Sequence, residues 1–350
     1  MKKLVVLVIL LVIAGLAVIG VQALRPYHGY SGQVIVDIPP GTQAPEVASR
    51  LAAKGVIAHR WPFLLVYAIG RWRHHLKAGE YLFDRPLRPL DIYWKLVRGE
   101  VYYRTVVIPE GSNRFDIAQI LNRRLGIAPG DFVRVTQQAS LIHDLDPQAP
   151  SLEGYLFPDT YRFEYQPSAA HVAITMVARF REVLRQDFQQ DLTQSHKGLH
   201  QIITLASLVE KETPDPSERP IIAQVFDLRL QKGMLLQCDP TVAYAAELHQ
   251  LPAVPITESD LNLKSPYNTY MHGGLPPGPI CNPGKASILA VLHPASTNYL
   301  YFVSNNHGGH RFARTLAEHR RNVARYRKQA AALRHLTPDK TGVSTRIHKK

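Results

Sequence analysis

The chain opens Met1-Lys2-Lys3 and then runs from Leu4 to Leu24 with one Gln and no charge. About 20 apolar residues are what a helix needs to cross a bilayer, and only a helix or a closed barrel satisfies its own backbone there. A cleavable signal peptide is the competing reading. Val21-Gln22-Ala23 loosely imitates a cleavage site, but the apolar core is too long for one. The expectation is an uncleaved single-pass anchor with Lys2 and Lys3 on the cytoplasmic side. The remaining 326 residues then lie outside the cytoplasm, at an inner (plasma) membrane.

That body is an ordinary globular mix, 45% hydrophobic and 20% charged, and long enough for two or three domains. The formal net charge of +13 does not point to nucleic acid. Residues 319–350 hold ten Lys or Arg against one Asp, so nine of the thirteen charges lie near the C-terminus. Residues 331–350 read as a solvated basic tail, with attraction to anionic wall polymer or lipid headgroups as the sharper alternative. The two cysteines, Cys238 and Cys281, leave open a disulfide in an oxidising compartment.

Periodicity predicts an α+β chain. After a tether at 25–33, two segments repeat at an offset of 70, one from Val34 and one from Arg104. Each reads as a β-branched strand, a Pro-X-Gly turn and an amphipathic helix capped at or near Thr42 or Ser112. Such strand–turn–helix units resemble the LysM glycan-binding module, although a structural device without a ligand fits them equally. Further helices are expected over 61–73 and 89–97, with a strand near 79–83. These make residues 34–107 a small LysM-like subdomain, followed by a helical connector at 108–150. A mainly helical domain with Gly/Pro-rich loops is expected over 151–330. Its helices include 171–188, 199–212 (ended by Pro214 and Pro216) and 217–232, and its loops lead to a strand at 299–304 and a last helix from Thr315.

Leu205-Ala-Ser-Leu-Val-Glu-Lys-Glu-Thr213 is the segment richest in chemistry. A carboxylate held against apolar groups is driven toward its protonated form, and a protonated Glu is the general acid that a glycosidic bond needs. At roughly 100° per residue, Leu205, Val209 and Glu212 share one side of the helix and Glu210 points about 160° away. The helix-face argument therefore selects Glu212 as the buried acid, with two solvent-facing charges as the bland reading. Four loop-rich stretches mix aromatic rings with Asn, Asp and Gln, as a sugar polymer requires. They start at Glu153, Gln237, Ser265 and Tyr301.

The assembled motifs resemble the MltG/YceG-like endolytic murein transglycosylases. They are EGYLFPDTY at 153–161, LASLVEKET at 205–213, ER at 218–219, QCDPTVAY at 237–244, SPYNTY at 265–270, GLPPGPICNPG at 274–284 and HPA at 293–295, with YLYFV and GGHRF beyond. The resemblance covers about residues 30–330. Departures are Cys238, where relatives often carry Thr, and Cys281, at a usually small position. The resemblance implies a lyase that cuts the bond between N-acetylmuramic acid and N-acetylglucosamine, leaving 1,6-anhydro ends, with Glu212 as the catalytic residue. It also implies peptidoglycan strands as substrate and association with wall synthases (penicillin-binding proteins). Gln237, Asp239, Tyr267, Asn268 and Thr269 are candidate substrate contacts. Glu153 and Asp159 are candidates for bracing loops or touching substrate.

No cofactor is expected. His307-Gly-Gly-His310 lacks the convergent ligands of a zinc site, and Ser207 is outside any Gly-x-Ser-x-Gly elbow. The rival from another class is a non-catalytic, membrane-tethered glycan-binding scaffold.

Overall fold

The computed structural model describes residues 20–21, 24–164, 166–251 and 256–336, with 332–336 as backbone only. The expected anchor and the tail beyond 336 lie outside the described residues. Among those residues no helix is long and apolar enough to cross a membrane. The fold is mixed α+β, mostly helical, with three two-stranded sheets among the described residues. It divides into two compact units. One comprises the described residues up to Thr105 together with those of Arg162–Pro167, and the other comprises 106–161 and the described residues from 168 onward.

In the first unit, β1 (Val34–Ile38) pairs antiparallel with β2 (Gly79–Phe83), Val34 opposite Phe83 and Ile38 opposite Gly79. Between them run α1 (Ala44–Ala53) and α2 (Arg60–Gly70), and α3 (Pro89–Arg98) follows. Alternation along β1 turns Val36 and Ile38 inward. There they meet Val47 and Leu51 of α1, Phe63 of α2, Tyr81 and Phe83 of β2, and Ile92 and Leu96 of α3, all buried. Pro89 occupies the first turn of α3, where its missing N–H costs nothing, and Gly99 ends that helix at φ 70.

The repeat at offset 70 is realised as β1–α1 and as β3 (Arg104–Val107) followed by α4 (Arg114–Leu125). The caps fall one residue later than expected, at Gln43 and Asn113. Asn113 Oδ1 accepts from the amides of Phe115 and Asp116 at 2.9 and 2.8 Å, whereas Thr42 donates to Pro39 O and closes the turn instead.

Beyond β3 come α5 (Pro129–Thr136) and β4 (Thr160–Phe163), which pairs with β3. Next, α6 (Ala169–Val183) continues through a π turn (Leu184–Phe188) into α7 (Gln189–Gln194). Helices α8 (Leu199–Glu212), α9 (Arg219–Gln231), α10 (Asp239–Leu248) and α11 (Lys285–Leu292) follow. The described residues end in the antiparallel hairpin β5 (Tyr301–Ser304) and β6 (His310–Ala313), then α12 (Leu316–Leu336).

Helix α8 is the axis of the second unit. Every residue from Ile202 to Val209 is buried, and α9, α10 and α11 all pack on it. A helix that is apolar all round belongs inside. Pro214 prevents its continuation, so Glu212 is its last residue.

Candidate active site

Glu212 is half-buried where α8 ends. Burial lifts its carboxyl from 4.5 to about 7. A hydrogen bond from the Cys238 thiol opposes that rise, the Asp239 carboxylate adds to it, and the Arg229 guanidinium opposes it. Among the described residues Glu212 forms no ion pair. Arg229 is buried and spends its donors elsewhere: Nε on Leu300 O at 2.7 Å, and Nη1 on Leu236 O at 2.7 Å and Leu235 O at 3.3 Å. Its charge therefore reaches Glu212 without a direct bond.

The segment that faces Glu212 is the entry to α10. Gln237 takes a left-handed φ of 51, a strained value for a non-glycine residue. Its amide donates to Thr269 O at 3.2 Å, and the next amide, of Cys238, donates to Thr269 Oγ1 at 3.0 Å. Thr241 Oγ1 donates to Cys238 O at 2.6 Å and lies 2.9 Å from Thr269 Oγ1. Asp239 accepts from the Tyr270 hydroxyl at 2.5 Å, and burial pushes the Tyr270 phenol far up. Residues 237–239 and 269–270 are thus laced together beside the acid.

Glu210 differs from Glu212 in its company. Its side chain is 5% exposed. Arg219 Nη2 donates to Oε1 and the Gly284 amide to Oε2, both at 3.0 Å. Burial of α8 on all sides removes the contrast between faces. What distinguishes the two glutamates is a directly bonded cation, Arg219 for Glu210 and none among the described residues for Glu212.

Of the remaining expected residues, Gln237 and Asp239 are exposed, and Tyr267 is half-buried with its ring 5.1 Å from Tyr244. Asn268 and Thr269 are buried. Asn268 Nδ2 donates to Leu263 O at 2.9 Å and Leu261 O at 3.0 Å, which shapes the loop. Glu153, 1% exposed, accepts from the Arg114 amide on both oxygens, from Asn282 Nδ2 and from the Tyr244 hydroxyl. Burial lifts its carboxyl to about 7 against the pull of Arg114 and Tyr244. Asp159 pairs with Arg179 at 2.7 Å. The structure therefore gathers Asp239, Cys238, Tyr270 and Arg229 around Glu212, and places Glu153 and Tyr267 around Arg114 and Tyr244.

Sequence reasoning missed Arg229, Tyr270 and Asn282. Arg229 carried a signal, since it continues the buried stripe Ile222, Val225, Phe226 at helical spacing. Asn282 carried only its place in the GLPPGPICNPG motif. Its Oδ1 accepts from the amides of Leu156 and Gly154 at 2.8 and 2.9 Å, while Nδ2 donates to Ser112 O and Glu153 Oε1 at 2.9 Å each. The disulfide left open in the sequence is not formed. Both thiols are free and buried, and that of Cys281 lies 3.3 Å from Ser207 O. His310 Nδ1 lies 2.6 Å from Glu218 Oε2, and among the described residues no group of three or more His, Cys, Asp or Glu is disposed to hold a metal.

A family model described as the YceG-like family matches residues 36–325. The endolytic murein transglycosylase of Bacillus subtilis (strain 168) is 31% identical over 332 residues, covering 90% of this chain and 91% of that protein. The endolytic murein transglycosylase of Streptococcus pneumoniae serotype 2 is 29% identical over 322 residues, 84% of this chain and 58% of that longer protein. A 2.6 Å crystal structure of a yceG-like protein from Listeria monocytogenes is 33% identical, with a TM-score of 0.57, and the match covers 83% of this chain and 98% of that one. With the family model reaching from β1 into α12 and one relative matched along nine-tenths of both chains, the protein belongs to the YceG-like family.

Proposed function

We propose that the chain is an endolytic murein transglycosylase, a lyase acting on peptidoglycan, with Glu212 as its single acid–base group. The observation that carries this reading is a carboxyl lifted to about 7 at the end of a buried helix, with no ion pair among the described residues to hold it ionised. It stands beside family membership and relatives that bear this name.

The reaction requires only one protein carboxylate. Glu212 gives its proton to the glycosidic oxygen as the bond from the muramic acid anomeric carbon breaks. The 6-hydroxyl of the same sugar then bonds to that carbon, and its proton passes to Glu212, directly or with help from the substrate's acetamido group. No water is consumed. Glycosidases that activate water or form a glycosyl-enzyme need a second carboxylate for that task. Gln237, Asp239 and Tyr267, accessible at the same loops, are our candidates for holding the sugars. Asn268, Thr269, Glu153 and Asp159 are assigned to keeping those loops in place.

The β1–α1–α2–β2 arrangement supports a LysM-like, glycan-holding role for the first unit. The apolar run Leu4–Leu24 supports a membrane-anchored, extracytoplasmic location, close to the wall synthases.

Digestion of purified sacculi tests the proposal. Wild type should release fragments one water lighter than hydrolase products. Glu212→Gln should keep its fold and lose about 10²–10⁴-fold in rate. Absence of any product from the wild type would favour a glycan-binding scaffold.

A further inference from the structure

Helix α2 carries no charged residue from Trp61 to Ile69, yet only part of it is covered. Pro62 and Phe63 are buried, and Leu64, Val66 and Tyr67 pack on the core of the first unit. Trp61, Leu65, Ile69 and Trp72 follow one another at the three- and four-residue spacing of a single helical face. Of these, Trp61, Ile69 and Trp72 are 43%, 77% and 83% exposed. The turn that carries Trp72 continues the helix, since the Arg71 amide donates to Tyr67 O at 2.8 Å and the His74 amide to Gly70 O at 3.2 Å. A contiguous apolar stripe left open in this way marks an interaction surface. Its surroundings are cationic: residues 60–79 hold Arg60, Arg71, Arg73 and Lys77 and no Asp or Glu. An exposed isoleucine offers a sugar ring no aromatic face to stack on, so glycan alone does not account for the stripe.

The segment before β1 indicates what covers it. Only Arg25 and Pro26 separate the apolar run Leu4–Leu24 from Tyr27, whose amide donates to Leu87 O at 3.2 Å. The Gly29 amide donates to Gly55 O at 2.9 Å. Arg25 lines one cleft with Ile57, His59 and Pro62, the last in the first turn of α2. The first unit is therefore pinned within a few residues of the run, beside the end of α2 that carries Trp61. We propose that the Trp61–Trp72 face of α2 lies on the extracytoplasmic surface of the membrane that holds the run. Ile69 and the two rings enter the headgroup–acyl boundary, and Arg71 and Arg73 meet anionic headgroups. The inference rests on the reading of Leu4–Leu24 as an anchor. A few exposed side chains bind a bilayer weakly by themselves, and the anchor supplies the effective concentration that makes the contact persist.

Trp61, Trp72 and Trp94 are the chain's three tryptophans, so its tryptophan emission reports this unit alone. Full-length protein is reconstituted into vesicles of phosphatidylglycerol and phosphatidylcholine whose acyl chains are either plain or brominated, bromine being a contact quencher. Roughly half of the emission should be lost in the brominated vesicles, because two of the three rings lie at the boundary. Ile69→Asp keeps both exposed rings and changes a side chain that is 77% exposed. It should restore most of the lost emission, whereas Ile69→Leu should be quenched like wild type. Equal emission from plain and brominated vesicles, in protein that floats with them and resists carbonate, would overturn the proposal and leave the anchor standing. Quenching that Ile69→Asp leaves unchanged would overturn it as well. Protein that stays out of the vesicle fraction removes the anchor and the proposal with it. Emission that lipid leaves unquenched, but that added sacculi shield from acrylamide, gives the face to glycan instead.

Discussion

Glu210 and Glu212 stand two residues apart on α8, and their neighbours give them opposite properties. Arg219 compensates Glu210 inside the protein. Neutralising one partner of such a pair strands the other charge, so Glu210→Gln should cost about 3 kcal/mol in denaturant unfolding. The folded fraction should keep most of its turnover. Glu212→Gln should do the reverse, unfolding no more easily than wild type while product formation collapses. Asn282 is the other residue on which the second unit depends. Asn282→Ala leaves the amides of Gly154 and Leu156 without an acceptor in a dry interior, and about 2–4 kcal/mol of stability should go with it. The buried apolar helix that ends at Glu212 was legible in the sequence. The reason for choosing it over Glu210 was not, because that reason is Arg219, brought in by the next helix and invisible to a helical-face count. Asn282 was unreadable for a related reason: its four partners lie 126 to 170 residues away in the chain.

Helices bounded by proline or glycine were the most legible elements. α8 runs from Leu199 to Glu212 as expected, and α3 and α9 end close to their predicted limits because Gly99 and Gly233 take left-handed φ values that favour glycine. The π turn at Leu184–Phe188 was not foreseen, since an extra residue in a helical turn leaves no compositional mark. The repeat at offset 70 gave the right strand–turn–helix units, but which strand each one pairs with was decided by tertiary context. In the first unit, α2 ends beside Trp72, 83% exposed with Arg71 stacked on it at 5.1 Å. If this unit holds glycan, Trp72→Ala in a Glu212→Gln background should weaken sedimentation with purified sacculi several-fold and leave the melting temperature unchanged. Equal sedimentation would remove the aromatic platform from the account.

For the whole molecule, two carboxyls with raised proton affinity set a pH dependence. In the unfolded chain Glu153 and Glu212 ionise near 4.5, whereas in the folded state they hold their protons until about 7. The native state therefore binds more protons across that window, and the free energy of unfolding should fall as pH rises from about 4.5 to about 7. Urea midpoints measured across the window check this, and Glu212→Gln should flatten the slope. The run from Leu4 to Leu24 makes a prediction of its own. Full-length protein should sediment with membranes and resist carbonate extraction, and a chain starting at residue 25 should be released with its activity intact.

The place of Glu212 as the final residue of α8 has one more consequence. Peptide dipoles aligned along a helix leave partial negative charge at its C-terminal end. An anion there is opposed by the backbone itself, by about 0.3–1 kcal/mol, and no exchange of neighbouring side chains removes that opposition. The helix that delivers the carboxyl to the surface of the unit thus also helps to keep it uncharged. Moving the same glutamate one turn earlier along α8 would weaken that field as well as displace the group.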